Sequence, residues 1–324
     1  MLQRVLLAAI LAALSAVLVA PSAFAQSYPT KPIRMIVGFP PGGGTDVVAR
    51  VIAQKLSEWY GQTVVVENRA GATGTIGADV LAKSTPDGYT LMMGHANSHA
   101  IAPNLMKLPY DPIKDFAPVS YVGYVPNVLS LHPSVPAKNM KELVTLLKNN
   151  PGKYTYASSG NGSSQHLSGE MFKLLTGTNV LHVPYKGSGD AIKDLLAGTV
   201  SMNFDTMPPV LEHIKAGKLR GLGISTPKRL ALLPDVPTFA EEGLAGFEIL
   251  NWYGVMAPAA TPKDIVMKLS ADINKAMREP DVKARLEQVG TQLRELSPDE
   301  FGAFMRAELV KYAKLVKDAN IRLE

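Results

Sequence analysis

Cysteine is absent from the 324-residue chain. That excludes disulfide scaffolds, cysteine zinc sites, iron–sulfur clusters and thiol catalysis together. Blocks of like charge are absent as well: 33 Lys and Arg stand against 28 Asp and Glu, a formal net charge of +5 spread along the chain. A nucleic-acid binder needs a basic stripe with interleaved aromatics, and none is visible. There is no internal repeat and no low-complexity segment, and after the first 25 residues no apolar run approaches the ~20 residues of a membrane span. What is there is 46% hydrophobic and 19% charged residues, the balance of a globular protein with a full core. At ~150 residues per domain the length suggests two domains.

The first segment reads as an export signal. Arg4 precedes an apolar run from Val5 to Ala20, Pro21 breaks it, and Ala23-Phe24-Ala25 supplies small residues for cleavage. The run is slightly short for a membrane anchor, and the small-x-small ending favours a cut after Ala25. The expected mature chain, residues 26–324, is not itself membrane-spanning and lies outside the cytoplasm; a bacterial periplasm suits a cysteine-free soluble protein.

Apolar runs and helical periodicity alternate through the mature chain, which predicts an α/β fold with mostly parallel sheets. Ile33–Phe39 reads as a strand and Val47–Tyr60 as a helix stopped by Gly61, followed by strands at Val64–Glu67 and Tyr89–Met93. A second unit of the same kind begins near residue 127. It has strands at Val128–Leu131, Tyr154–Ala157, Val180–Val183, Val200–Phe204 and Leu219–Ile224, and helices closed by Gly177, Gly198 and Gly217. Asn139 with Glu142 resembles a reciprocal N-cap, and Ser297-Pro298-Asp299-Glu300 a capping box that opens a long C-terminal helix.

In open α/β sheets ligands bind beyond the carboxyl ends of strands, so the loops there are the candidate site. Gly38-Phe39-Pro40-Pro41-Gly42-Gly43-Gly44-Thr45-Asp46 is the most distinctive. Its glycines allow backbone N–H groups to turn toward a guest, and the next helix adds the positive end of its dipole. It is neither a Walker A loop nor a dinucleotide fingerprint. The plain alternative is a tight turn capped by Thr45 or Asp46. Ala157-Ser158-Ser159-Gly160-Asn161-Gly162-Ser163-Ser164-Gln165-His166 offers hydroxyls, glycines and His166 at a second helix start, or else an ordinary loop with Ser163 as cap. Tyr185 and Lys186 follow a third strand, and Asp205 ends a fourth, where it reads as functional or as a helix cap. Four such loops at equivalent strand ends point to one cleft between two domains.

Enzyme readings find less support. The segment around Ser163 lacks the last glycine of a G-x-S-x-G elbow. His95 and His99 have metal-ligand spacing but no intervening Glu and no third ligand. The histidines at 132, 182 and 213 read as core or surface residues, and Glu241 with Glu242 as solvated. No metal and no cofactor is called for.

The strings YPTKPIRMIVGFPPGGGTDVVARVIAQKL, VVVENRAGATGTIGADVLAKSTPDGYTLMMG, YASSGNGSSQHLSGEMFKLLTG, HVPYKGSGDA and LLPDVPTFAEEGLAGFEILNWYGVMAPAATP, in this order, closely resemble the Bug family, the periplasmic solute-binding proteins of tripartite tricarboxylate transporters. The resemblance implies a two-domain Venus-flytrap clamshell, each domain a mostly parallel sheet flanked by helices. It implies capture of a small organic carboxylate and delivery to a two-component membrane permease, with no catalysis. Domain 1 is then expected over 26–126 plus 243–324 and domain 2 over 127–242, with hinge strands near Gly123–Val128 and Gly243–Trp252. Carried over residue by residue, the family's ligand contacts fall on Gly43, Gly44, Thr45, Ala72, Ser159, Gly162, Ser163 and Asp205, with His95 and Asn97 as specificity candidates. Two other readings stand beside it: a periplasmic hydrolase using Ser163, His166 and Asp205, and a ligand-dependent sensor partner.

Overall fold

The computed structural model describes residues 28–321. The expected signal at 1–25 and its cut after Ala25 lie outside the described residues. Among them, no helix is long and apolar enough to cross a membrane.

The chain opens with β1 (Ile33–Val37), α1 (Gly44–Tyr60), β2 (Val64–Asn68), α2 (Thr75–Ala82) and β3 (Thr90–His95). These form a parallel trio with β1 in the centre, flanked by β2 and β3. Helix α1 presents Val48, Val51, Ile52 and Leu56 to the sheet, an i, i+3, i+4, i+8 stripe that buries one face and leaves Arg50 on the other. The second unit repeats the scheme with α3 (Met140–Asn149), β5 (Thr155–Ser158), α4 (Ser164–Thr176), β6 (Leu181–Pro184), α5 (Ser188–Leu196), β7 (Met202–Thr206), α6 (Met207–Lys215) and β8 (Arg220–Ile224). Here β5 is the centre of a parallel trio with β6 and β7.

Two long strands join the units. β4 (Phe116–Leu131) runs 16 residues, and the strand expected at Val128–Leu131 is only its far end. Its first part, to Pro126, pairs antiparallel with β9 (Leu250–Pro258), and its last part, from Asn127, pairs with β7 and β8. The resulting order is β2-β1-β3-β9-β4-β7-β5-β6. The parallel expectation therefore holds for each trio and not for the middle. Parallel neighbours need a crossover helix, whereas β4 leaves the first unit and β9 returns to it, so they lie side by side in opposite directions.

The rest of the chain packs back on the first unit: α7 (Lys263–Arg278), α8 (Pro280–Gln288), β10 (Gln292–Leu293) and α9 (Pro298–Asp318). The capping box at Ser297 and Glu300 forms as expected. At Asn139 it forms by half: the side-chain oxygen accepts from the Glu142 amide at 2.9 Å, but the Glu142 carboxylate takes the amide of Lys138. Trp252, Tyr121, Phe301 and Tyr312 are fully buried where α9 covers the β4–β9 pair. Side chains of this size contribute ~1.5–3 kcal/mol each on burial, so the crossing strands sit in a well-packed core.

Candidate functional site

The loops after β1, β2 and β3 meet at one edge of the first unit. A Cβ at Gly38 would lie 2.8 Å from the backbone of Gly74, so only a glycine lets these two loops touch. Gly74 in turn lies against the Phe39 ring and Ser98. Ala72 and Thr73 hold φ of 45° and 55°, the left-handed region that side chains disfavour, and they turn the β2 loop sharply before α2. Ala72 is exposed at its tip.

Within the β1 loop Asp46 faces inward. Its carboxylate accepts from the Gly42 amide (2.9 Å), Arg50 Nε (2.9 Å) and Asn68 Nδ2 (2.8 Å). Burial opposes its charge, but Arg50, the Gly42 amide and Asn68 outweigh burial and hold the carboxyl below its usual range. Asp46 is thus the brace of the loop; a carboxylate so committed does not meet a second one. Helix α1 begins at Gly44, three residues before the start expected at Val47, with Gly43 as an N-cap that makes no side-chain hydrogen bond. Neither Thr45 nor Asp46 caps it. The amides of Gly43, Gly44 and Thr45 have no acceptor among the described residues. They are free donors at the positive end of a 17-residue helix.

The loop after β5 is organised differently. Ser163 caps α4 by accepting from the His166 amide at 3.2 Å. The Gly162 amide donates to His166 Nδ1 (3.1 Å), the Gly160 amide to Ser158 Oγ (3.1 Å) and the Ser163 amide to the Gly160 carbonyl (3.2 Å). Ser158 Oγ also bonds His182 Nε2 at 2.6 Å, and the rings of His182 and His166 stack at 4.2 Å. Ser159 donates to Gln165 Oε1 at 2.8 Å. Gln165 Nε2 and Ser188 Oγ both donate to Asp205 Oδ1, at 3.0 and 2.8 Å, and the Thr206 amide adds a third bond at 2.8 Å. Burial raises the Asp205 pKa in spite of these donors. Asp205, 1% exposed and committed to these donors, acts here by setting Gln165, which in turn holds Ser159.

Three of the contacts between the two units lie beside these loops. Asn97 Oδ1, on the turn after β3, accepts from the Ser164 amide at 3.2 Å and so occupies a donor of the α4 N-terminus. Ser164 Oγ donates to Asn251 on β9, and Asn251 Nδ2 donates to Asn127 Oδ1 on β4 at 2.6 Å. Asn127 Nδ2 completes the chain by donating to Ser168 at 2.7 Å. The third contact centres on Tyr253. It stands opposite His95 in the β3–β9 ladder, and a Cβ at Gly44 would come within 2.8 Å of its hydroxyl and 4.0 Å of Pro208 in the second unit.

Gly43, Gly44, Thr45, His95 and Asn97 therefore gather with Tyr253 on one side, and Ser158, Ser159, Gly162, Ser163, His166 and Asp205 form a continuous hydrogen-bonded group on the other. Tyr185 joins this group only by its backbone, its amide donating to the Ser158 carbonyl at 3.0 Å, while its hydroxyl donates to Asp194 on α5 at 2.6 Å. Sequence reasoning missed Tyr253, Asn251, Asn127, Gln165 and Ser188. The alternation of Asn251 and Tyr253 puts both on one face of a strand, a signal present in the sequence, but which loops that face meets depends on the crossing of β4 and β9.

Ser163, His166 and Asp205 do not form a proton relay. The Ser163 hydroxyl faces the His166 backbone, His166 Nδ1 is taken by Gly162, and Asp205 bonds Gln165 and Ser188. His95 and His99 do not converge either: His95 Nδ1 accepts from the Asn97 amide at 3.0 Å, while His99 Nδ1 bonds Ser98 at 2.9 Å among Phe116, Tyr110 and Trp252. Among the described residues no group of three His, Asp or Glu side chains is placed to hold a metal ion.

Residues 48–321 match the model of the tripartite tricarboxylate transporter family receptor. Protein BugT of Bordetella pertussis is 42% identical over 302 residues, 93% of each chain. The periplasmic binding protein BugD superposes with a TM-score of 0.84 at 37% identity, over 92% of this chain and all of that one. The Rpa4515 protein of R. palustris, solved with adipate, superposes with a TM-score of 0.86 at 37% identity, over 91% of this chain and 99% of that one. The architecture is that of a two-domain periplasmic-binding-protein clamshell, and the chain belongs to the tripartite tricarboxylate transporter family receptors.

Proposed function

We propose that the protein captures a small organic carboxylate between its two units, without converting it, and hands it to a two-component membrane permease. The observation that carries this reading is the uncapped start of α1. Three adjacent amides without acceptors, at the positive end of a helix, match an oxyanion, and the second unit approaches that helix start at Pro208, 4.0 Å from a Cβ at Gly44. Closure around the anion removes water and strengthens each charge-assisted bond. The adipate held by a family member of 37% identity supports the same ligand class.

On this reading the domains divide within β4 at 126/127 and again at 242/243, and rotation is absorbed where β4 and the chain leading into β9 cross. Gly123 lies at φ 148° beside a register irregularity of the β4–β9 pair, a place suited to bending. The mature protein starts at Gln26 and works in the periplasm.

Thermal unfolding of residues 26–324 against mono-, di- and tricarboxylates tests this. A ligand that binds the folded state at ~100 times its Kd adds ~2.7 kcal/mol, enough for a clear rise in Tm. A rise confined to one class of acids identifies the ligand class. No rise, with no small acid released on denaturation and seen by mass spectrometry, refutes it. Chemical turnover of a bound acid, lost in Ser163→Ala, refutes the non-catalytic part.

A further inference from the structure

Two buried polar side chains, His95 and Tyr253, stand at the uncapped start of α1. His95 is 5% exposed and its ring is clamped between Phe39 and Tyr253, with centroids 4.9 and 5.3 Å away. Because Nδ1 accepts the Asn97 amide, the proton of the neutral ring is on Nε2. That N–H has no acceptor among the described residues, yet it is not sealed in the core as His99 Nε2 is. Tyr253 is 1% exposed, and its hydroxyl lies against Gly44 with the Thr45 hydroxyl beside it. Burial, with His99 adding to it, lowers the His95 pKa to about 3, and burial raises the Tyr253 pKa above its ordinary value. Both groups are therefore neutral donors at any physiological pH. Among the described residues no arginine or lysine shares a hydrogen bond with them.

Resting on the carboxylate-binding reading, we infer that Tyr253 is a ligand-contacting residue, its hydroxyl and the Nε2–H of His95 donating to the same oxyanion that the Gly43, Gly44 and Thr45 amides receive. The geometry that brings them together is the β3–β9 ladder, which sets His95 and Tyr253 directly opposite each other. The anion is held by neutral donors alone. Because Tyr253 lies on a strand that crosses between the units, the ligand touches the hinge itself, and recognition does not wait for the second unit.

The test uses protein labelled with 13C at the tyrosine ring carbon that bears the hydroxyl. Wild type, Tyr253→Phe and His95→Gln are titrated with adipate and with a series of mono-, di- and tricarboxylates. In wild type the Tyr253 resonance, identified by its loss in Tyr253→Phe, is expected to move on saturation. Tyr253→Phe is expected to bind about 10–100-fold more weakly, the range for losing one charge-assisted donor, with the Tm of the unliganded protein unchanged. His95→Gln, which keeps an N–H donor, is expected to retain most of the affinity. An unmoved Tyr253 resonance under saturating acid, or wild-type affinity in Tyr253→Phe, overturns the assignment while leaving the carboxylate reading intact. Wild type that binds no acid of the series overturns both.

Discussion

In the loop after β1 the amides of Gly43, Gly44 and Thr45 have no acceptor among the described residues, whereas in the loop after β5 the amides of Gly160, Gly162, Ser163, Ser164 and His166 all have one. Both loops follow a central parallel strand, both are rich in glycine and hydroxyls, and both open a long helix. The difference lies in what the neighbouring side chains do. In the first loop the nearest capping group, Asp46, reaches back to Gly42 and leaves the helix start bare. In the second, Ser158, His166, Asn97 from the opposite unit and Ser163 take four of the amides and the Gly160 carbonyl a fifth, which leaves those of Asn161 and Gln165 without an acceptor among the described residues. On the proposed reading, glycine-rich loops at strand ends are not equivalent anion sites: one is the receptor, and the other is a preset wall.

The most severe way to break this contrast is to fill the bare helix start. Gly44→Val puts a side chain where a Cβ already lies 2.8 Å from the Tyr253 hydroxyl. Loss of that donor and of the amide edge together is expected to weaken carboxylate binding by about 100-fold or more, measured by calorimetry. Affinity within a few-fold of wild type would place the anion elsewhere.

Removing the brace tests the loop's shape rather than its donors. Asp46→Ala leaves the Gly42 amide, Arg50 and Asn68 without their acceptor and is expected to cost about 2 kcal/mol of stability at pH 7. The folded carboxyl titrates below its unfolded value of about 3.9, so its stabilisation is full above that value and disappears as pH falls through the lower, folded one. Urea melts of wild type and variant should therefore differ at neutral pH and converge in strong acid. A gap that persists there assigns the loss to packing.

In the second loop the expected effect is smaller and of another kind. Ser163→Ala removes the α4 cap and is expected to cost ~1 kcal/mol of stability, with much less change in affinity than Gly44→Val. An affinity loss equal to that of Gly44→Val would erase the distinction between receptor and wall. The smallest effect concerns pH. With His95 neutral down to about 3, and with buried His99 and Tyr253 as the titratable groups beside it, affinity for a fully ionised acid is expected to be flat from about pH 5 to 8. A fall as pH rises through 6.5 would show a protonated histidine in the site.

Much of the fold is legible in the sequence because it rests on local signals. Strand ends, helix stops at Gly61 and Gly177 and the box at Ser297 follow from backbone chemistry over a few residues. The length of β4 is not legible, because Pro118, Gly123 and Pro126 punctuate it and only pairing with β9 keeps it extended. The site divides along the same line. Gly43, Gly44 and Ser163 announce themselves as loop chemistry. Tyr253 and Asn251 read as core positions of an apolar strand, and only the approach of β3, α1 and α4 to that strand turns them toward the cleft. The inward turn of Asp46 was equally hidden, since it depends on Asn68, 22 residues away.

The contrast between the two loops is most directly tested by amide 1H–15N spectra of the mature protein during titration with adipate, or with whichever acid raises Tm most. The amide protons of Gly43, Gly44 and Thr45 are expected to move downfield as they acquire an acceptor, while those of Gly160, Gly162 and Ser164 move little because theirs is already in place. Large shifts in the second group with an unmoved first group would contradict the assignment of the α1 start as the receptor.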